Sequence, residues 1–241
     1  MTWFGHDAPT LERALALPRV LAEQSLSSTM DAAHALAADG APAGTLVLAE
    51  EQHAGRGRGG NRWRSAPRAG IWMTLIERPA DTSGLEVLSL RVGLRLAPVL
   101  ERWTNGPVRL KWPNDLYTND AKLAGVLIEA RWRDQRPDWV AIGIGINLVE
   151  AMGDLPTSAL NHVDAATVVA EVVPALRAAA FARGPLSEPE LAEFAARDFT
   201  RGRRVSSPGI GTASGITAEG ELVVESSAGL TTYRSGSLVL S

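Results

Sequence analysis

The 241-residue sequence contains no cysteine, and only two of its 24 lysine and arginine residues are lysines. The absence of cysteine excludes disulfide bonds, a thiolate nucleophile and cysteine-ligated zinc. The four histidines are scattered along the chain without the spacing of a metal centre, so the sequence leaves any metal ligands unknown.

Long apolar runs and an excess of positive charge are also missing. No stretch is long and apolar enough to predict a transmembrane helix, and the amino-terminal residues lack the pattern of a signal peptide. The formal net charge of −3 predicts no general attraction to nucleic acid. Hydrophobic residues make up 45% of the chain, which is enough for a buried core. We therefore expect a cytoplasmic globular protein that binds neither membrane nor DNA.

Both lysines fall inside short, unusual motifs. Lys111 lies in the segment 109–115, RLKWPND, and Lys122 begins the segment 122–129, KLAGVLIE. Because nearly every other cation is arginine, a retained lysine indicates a place that needs a compact ammonium with a tunable pKa. Two structural alternatives are a Pro-Asn-Asp turn after a strand and, for Lys122, an edge lysine that discourages aggregation.

A loop of glycines and arginines precedes both motifs. Residues 55–63 read GRGRGGNRW, and five arginines fall between positions 56 and 68. Glycines bring backbone N–H groups close to a ligand, and the cations repel one another until anions neutralise them. The loop lacks the Gly-Lys-Ser/Thr of a Walker A motif. Together with the two lysines, the loop predicts a site that binds two anionic reactants and joins them. The alternative is an arginine- and glycine-rich segment that contacts RNA phosphates.

The hydrophobic pattern predicts helices and strands in two domains, residues 1–200 and 201–241. Ser28 and Asp31 predict a capping box at the start of a helix. Beyond residue 200, short β-like pieces alternate with Gly/Ser turns and predict five strands in a small barrel. The predicted helices cover residues 30–38, 89–103, 165–183 and 187–200, and the predicted strands of the large domain cover residues 45–49, 70–78, 108–112, 123–132 and 139–147.

Taken in order along the chain, these motifs resemble those of the biotin protein ligase family. The resemblance covers roughly residues 20–150 well and the C-terminal segment more loosely. It implies an α+β fold in which a mixed sheet and helices, like those of class II aminoacyl-tRNA synthetases, are followed by a small SH3-like barrel. The matching stretches are residues 28–29, 51–63, 111–115, 122–129 and 143–147.

The resemblance also implies a ligase that uses biotin, ATP and Mg²⁺. In the family, the biotin carboxylate attacks the α-phosphate of MgATP, which yields biotinyl-5′-AMP and pyrophosphate. A lysine of a biotin carboxyl carrier domain, in acetyl-CoA carboxylase or a related carboxylase, then attacks the mixed anhydride. The motifs suit this chemistry, because a carboxylate and a triphosphate repel each other and need cations to meet in line.

The same resemblance assigns roles to single positions. Ser28, Thr29 and Gln52 match positions that hydrogen-bond the ureido ring of biotin, and Trp63 is expected to cap the closed loop. The implied catalytic residues are Lys122, Arg58, Lys111 and Asp115. The implied biotin-binding set is Ser28, Thr29, Gln52, Gly55, Arg56, Arg58, Lys122 and Gly125, and the implied ATP-binding set is Arg56, Arg58, Trp63, Lys111, Asn114 and Asn147.

The sequence departs from the family pattern at Met30, where asparagine is usual, so one expected polar contact is missing. Only 27 residues precede Ser28, which is too few for the winged-helix domain of the repressor members, so we expect a ligase without a DNA-binding function. Homodimerisation is left open. The alternatives are a lipoyl or octanoyl ligase of the same superfamily, whose members lack this glycine- and arginine-rich loop, and a nucleic-acid binder.

Overall fold

The computed structural model of the chain describes residues 2–134, 136–150 and 156–241. The helices in these ranges are α1 Ala8–Leu15, α2 Thr29–Ala38, α3 Leu88–Leu100, α4 Ala165–Ala180 and α5 Glu188–Arg197, with short 3-10 helices at Arg58–Gly60, Leu85–Val87 and Glu101–Trp103. The strands are β1 Thr2–Trp3, β2 His6–Asp7, β3 Arg19–Leu26, β4 Thr45–Gln52, β5 Gly70–Glu77, β6 Arg109–Lys111, β7 Asp115–Thr118, β8 Ala121–Arg133, β9 Arg136–Asn147, β10 Arg204–Ser207, β11 Gly211–Ile216, β12 Leu222–Ser226, β13 Gly229–Tyr233 and β14 Val239–Leu240. Within the described part of the chain, no helix has both the length and the apolar character needed to cross a bilayer.

Seven strands form a mixed central sheet in the order β3-β4-β5-β9-β8-β7-β6. β3 and β4 are parallel, and the other neighbouring pairs are antiparallel. α2 packs against β4, β5 and β9, while α3 and α4 pack against each other and contact β8 and β5 respectively. The mixed α+β fold predicted from the sequence is thereby confirmed.

Alternation along the central strands divides the apolar core into two layers. Leu46 and Leu48 of β4 belong to the large cluster beneath α3 and α4, whereas Val47 belongs to the smaller cluster beneath α2. Since successive side chains of a strand point to opposite faces, the two clusters lie on opposite sides of the sheet. Coverage of both faces explains why β5 is buried along its whole length.

The predicted elements of the large domain are confirmed with shifted ends, but the capping box is only half right. Ser28 caps α2, because its hydroxyl accepts a hydrogen bond from the N–H of Asp31. The Asp31 carboxylate does not bond back to the cap; it accepts from Arg56 of the glycine- and arginine-rich loop instead. Asp31 therefore contacts the cap through its backbone N–H and the loop through its carboxylate.

The five strands predicted beyond residue 200 form one antiparallel sheet in the order β13-β12-β11-β10-β14. Its edge strands, β13 and β14, do not pair with each other in the described ranges, so no closed barrel is found. Several hydrogen bonds join the C-terminal sheet to the large domain, and two of them involve predicted site motifs. Trp112 Nε1 donates to the carbonyl of Gly220 over 2.9 Å, and Arg58 donates to the carbonyl of Gly236 over 2.6 Å. The C-terminal sheet is thus seated beside two of the predicted site motifs.

Candidate active site

A cavity of about 460 Å³ opens where α2, the glycine- and arginine-rich loop and the middle of the central sheet meet. Its volume falls within the range of small-molecule sites. All five matching stretches of the sequence contribute to its walls. The predicted site residues that line it are Ser28, Thr29, Gln52, Arg56, Arg58, Trp63, Lys111, Asn114, Asp115, Lys122 and Gly125.

One part of the wall is a preset hydrogen-bond network around Gln52. Its Oε1 accepts from the backbone N–H of Thr29 over 2.8 Å and from the Thr29 hydroxyl over 3.0 Å. Its Nε2 donates to the Ser65 hydroxyl over 2.7 Å, and the Thr74 hydroxyl donates to that of Thr29 over 2.9 Å. These bonds fix the orientation of the Gln52 amide. Ser65 and Thr74 were not predicted from the sequence, because a single hydroxyl inside a strand or loop carries no signal of its own.

Next to this network the cavity wall is apolar. Met30 is 3% exposed and lines the cavity with Met73 and Leu127. A Cβ added at Gly143 would lie 2.7 Å from the Met30 methyl group. Met30 therefore fills the space over a glycine, and the missing asparagine is replaced by an apolar surface of adaptable shape.

Two glycines on neighbouring strands form a shelf beneath Trp63. Gly125 of β8 is paired with Gly145 of β9. A Cβ at Gly145 would lie 2.5 Å from the Trp63 indole, and one at Gly125 would lie 2.7 Å from it. The buried Nε1 of Trp63 has no hydrogen-bond partner among the described residues. The close approach expected of a glycine-rich strand is thus made by Trp63 itself.

The two lysines meet in the cavity. Lys122 Nζ lies 2.7 Å from Asp115 Oδ1 and 4.8 Å from the centroid of the Trp63 ring. Lys111 is opposite Asp115 on the β6–β7 hairpin, and its Nζ lies 5.3 Å from the centroid of Tyr117. Burial lowers the pKa of Lys111; Asp115 opposes that shift and the charge of Lys122 adds to it. The prediction that each lysine marks a site rather than a plain surface is consistent with this placement.

Arg56 is held between two carboxylates. Its guanidinium donates to Asp31 Oδ1 over 2.7 Å and to Glu129 Oε1 over 2.6 Å. The other oxygen of Glu129 lies 2.9 Å from Nε2 of His34, whose Nδ1 lies 2.9 Å from Nε1 of Trp139. Because an indole N–H can only donate, Nδ1 accepts and Nε2 carries the proton that binds Glu129. This series of hydrogen bonds fixes the position of Arg56, the first arginine of the loop.

Arg58 connects the cavity to the C-terminal sheet. It lines the cavity and donates to the carbonyl of Gly236, and the neighbouring residues Ser237 and Leu238 also line the cavity. No C-terminal residue was among the site residues predicted from the sequence. A tertiary contact brings Ser237 and Leu238 to the cavity, and local sequence patterns do not reveal such contacts.

Three predicted residues have structural roles in the protein. The amide of Asn147 donates hydrogen bonds to the carbonyls of Lys122 and Ser158, and Asn147 does not line the cavity.

Gly55 also lies outside the cavity lining. A Cβ at this position would lie 2.5 Å from the Trp63 carbonyl oxygen. Asn114 lines the cavity, but its amide donates to the Val126 carbonyl over 2.7 Å. The ligand roles of these three stay predictions.

Comparison with known proteins agrees with the motif order. Residues 22–147 match the model of the biotin/lipoate A/B protein ligase family. The chain is 40% identical to the bifunctional ligase/repressor BirA of Bacillus subtilis over 132 residues, which are 54% of this chain and 41% of that protein. It is 37% identical to the biotin–[acetyl-CoA-carboxylase] ligase of Paracoccus denitrificans over 123 residues, or 47% of this chain and 48% of that protein. The matches thus span about half the length of these curated relatives.

A solved structure shows the same fold over nearly the whole chain. The biotin protein ligase from Aquifex aeolicus, in complex with biotin and ATP, has a TM-score of 0.78 and 24% identity. The match covers 93% of this chain and 100% of the Aquifex aeolicus chain. Since the family model spans more than half of the residues, the chain belongs to the biotin/lipoate A/B protein ligase family.

Proposed function

We propose that the protein is an ATP-dependent ligase that activates biotin and transfers it to a lysine of a biotin carboxyl carrier domain. The observation that carries the proposal is the division of one cavity into two chemical halves. Ser28, Thr29 and Gln52 supply fixed hydrogen-bonding groups, and Lys111 and Lys122 supply cations. A neutral ring system suits the first half, and a carboxylate next to a polyphosphate suits the second.

In the first step an oxygen of the biotin carboxylate attacks the α-phosphorus of ATP. A new P–O bond forms to the acyl oxygen, the bond to the bridging oxygen breaks, and pyrophosphate leaves with that electron pair. Lys122 stabilises the charge that grows between the two reactants, and Arg58 and Lys111 hold the phosphates. The three charges are already placed in the cavity, so little reorganisation opposes the step.

Mg²⁺ would enter with the phosphates of ATP. Among the described residues that line the cavity, Asp115 is the only carboxylate. That donor set suits Mg²⁺, which is often held by one or two protein carboxylates together with substrate phosphates. The ion would neutralise phosphate charge, and Asp115 would contribute the protein oxygen. Until then the carboxylate is occupied by Lys122.

In the second step the neutral amine of the carrier lysine attacks the carbonyl carbon of biotinyl-5′-AMP. The amide C–N bond forms, the C–O bond to the phosphate breaks, AMP leaves, and the amine loses a proton to solvent. The Arg58–Gly236 contact supports a closed loop that protects the anhydride from water between the steps. We place the carrier in acetyl-CoA carboxylase or a related carboxylase, and the boundary of the C-terminal SH3-like domain near residue 200.

A lipoyl or octanoyl ligase is the less favoured alternative, because the relative from Paracoccus denitrificans and the solved structure from Aquifex aeolicus carry biotin ligase names. The nucleic-acid alternative has less support from the loop geometry. Arg56 is paired with Asp31 and Glu129, and Arg58 donates to a backbone carbonyl. Both arginines also line the cavity, which suits a small anionic ligand better than an extended phosphate backbone.

The proposal is tested by the exchange of labelled pyrophosphate into ATP with biotin, lipoate or octanoate as the acid. We expect exchange that depends on biotin and is at background with the other two acids. Exchange that requires lipoate or octanoate and ignores biotin would assign the chain to the other branch of the family. An acid-free reaction controls for contaminating ATPases.

A further inference from the structure

The β6–β7 hairpin separates its side chains by face. Leu110 and Leu116 belong to the large apolar cluster. Since side chains alternate along a strand, Lys111, Asp115 and Tyr117 lie on the opposite face. There the Lys111 ammonium sits over the Tyr117 ring at 5.3 Å from its centroid, within the range of a cation–π interaction.

A second aromatic ring supports the first. Phe199, in the segment between α5 and the C-terminal sheet, is stacked on Tyr117 with ring centroids 4.5 Å apart and an interplanar angle of 28°. Its backbone N–H donates to the Leu110 carbonyl over 2.9 Å. The Arg203 guanidinium lies over the Phe199 ring at 4.1 Å and donates to Asp120 over 2.6 Å. Phe199 is therefore tied to β6 through its backbone and to the turn after β7 through Arg203.

Both rings are buried, with Phe199 3% and Tyr117 8% exposed. Burial, aided by the negative charge of Asp115, raises the pKa of Tyr117 to about 12. The phenol is thus neutral at physiological pH and offers Lys111 a ring face rather than a charge. A desolvated site is where a cation–π contact has its largest effect.

We propose that Tyr117, backed by Phe199, is a positioning residue whose ring face holds the Lys111 ammonium and directs it into the cavity. The contact favours the ammonium over the neutral amine, because only the charged form is attracted to the ring face. The consequence for ATP binding rests on the proposed function, whereas the effect on Lys111 itself does not.

The chain makes this directly measurable because Lys111 and Lys122 are its only lysines. Lysine labelled with ¹³C will give two side-chain Cε signals, and a Lys111→Arg variant identifies which signal is which. The midpoint of each signal is then followed in a pH titration of the ligand-free protein. Tyr117→Leu removes the ring, and Tyr117→Phe is the matched control that keeps it.

We expect Tyr117→Leu to lower the titration midpoint of Lys111 by about one pH unit, the size of a lost desolvated cation–π contact. Tyr117→Phe should titrate like the wild type, and Phe199→Leu should shift in the same direction by less. If Tyr117→Leu does not fold, as judged by circular dichroism, Phe199→Leu decides the matter. An unchanged Lys111 midpoint in the folded leucine variant would overturn the proposal.

Steady-state adenylation gives the second readout. In Tyr117→Leu we expect the KM for ATP to rise about tenfold while the KM for biotin stays within about twofold, since one lost contact of this kind is worth roughly that factor. Tyr117→Phe should restore the wild-type value. Equal rises in both constants would indicate a merely structural role and contradict the proposal. If the wild type forms no adenylate, the proposed function fails, and the lysine titration still stands as the test.

Discussion

The ammonium of Lys122 lies 2.7 Å from the carboxylate of Asp115 inside the cavity, with the two side chains 22% and 20% exposed. The pair is thus partly shielded from water but open to a ligand. A carboxylate that pairs with the lysine before substrate arrives keeps the ammonium in place. Such preorganised donors contribute most where charge develops during a reaction.

Loss of the Lys122 ammonium should slow the formation of biotinyl-5′-AMP. We expect Lys122→Ala to reduce the rate of biotin-dependent pyrophosphate release by about 10²-fold or more, as the loss of one preorganised donor usually does. Lys122→Arg keeps the charge and is the matched comparison, which should retain more activity than the alanine variant. Near-normal release by Lys122→Ala would remove Lys122 from the chemistry.

Arg58→Gly should release the intermediate rather than abolish it. The side chain joins the loop to the Gly236 carbonyl, and without that bond the loop should close less firmly over the adenylate. Escaped biotinyl-5′-AMP would acylate lysines of an unrelated bystander protein, visible on a streptavidin blot. Adenylate formation is confirmed in the same mixture by chromatography. A bystander that stays unlabelled despite confirmed adenylate contradicts this role for Arg58.

The His34 hydrogen bonds should matter for the position of Arg56. His34→Leu removes the hydrogen bonds of His34 to Oε2 of Glu129 and to the indole N–H of Trp139, which should lower the free energy of unfolding by about 1–3 kcal/mol. It should also weaken biotin binding measured by isothermal titration calorimetry. His34→Gln, which can both donate and accept, should recover part of each loss. Biotin affinity unchanged in the folded leucine variant would separate the network from the site.

Stability in acid should depend on the ion pair between Arg91 and Glu190. Arg91 is 1% exposed, and its Nε donates to Glu190 over 2.7 Å. The hydrogen bond from Arg91 lowers the pKa of Glu190 to about 2. A lowered pKa in the folded state adds stability above the ordinary glutamate pKa of about 4.3, and this is lost as the pH falls towards 2.

Glu190→Gln should therefore flatten the pH dependence of the free energy of unfolding between about pH 5 and pH 2. At pH 7 it should cost about 3 kcal/mol, because it leaves the buried Arg91 charge unpaired. Urea unfolding at several pH values measures both effects. Glu188→Gln, an exposed carboxylate on the same helix, is the control. The same acid dependence in wild type and Glu190→Gln would show that other carboxylates set it.

Sequence patterns predicted the parts of the site that are made of consecutive residues. The strand that ends at Lys111, the glycines at 143 and 145 and the cap at Ser28 follow from local periodicity and turn chemistry, and the structure brings them to one cavity. The edge strand β3 was missed, because its polar residues mask the buried pair Val20 and Ala22. Only two of the eight residues of β3 are buried, which is too few to produce a visible period-two pattern.

Contacts between distant segments were beyond local patterns. Nothing near His34 indicates that Trp139 and Glu129 will hold it, and nothing in residues 237–238 indicates that they reach the cavity. Asn147 has a structural role that its sequence context did not indicate. Its amide donates to two backbone carbonyls, and the ligand contact predicted for it stays a prediction. Buried polar groups need such partners, and a sequence does not distinguish this use from binding.

The most informative single measurement is the intact mass of a biotin carboxyl carrier domain after incubation with the protein, biotin and ATP. We predict that the mass increases by one biotinyl group, that the increase requires ATP, and that a carrier domain with its acceptor lysine changed to arginine gains nothing. A carrier domain whose mass stays unchanged with biotin and ATP, or increases only when lipoate replaces biotin, would contradict biotin transfer as the function of this protein.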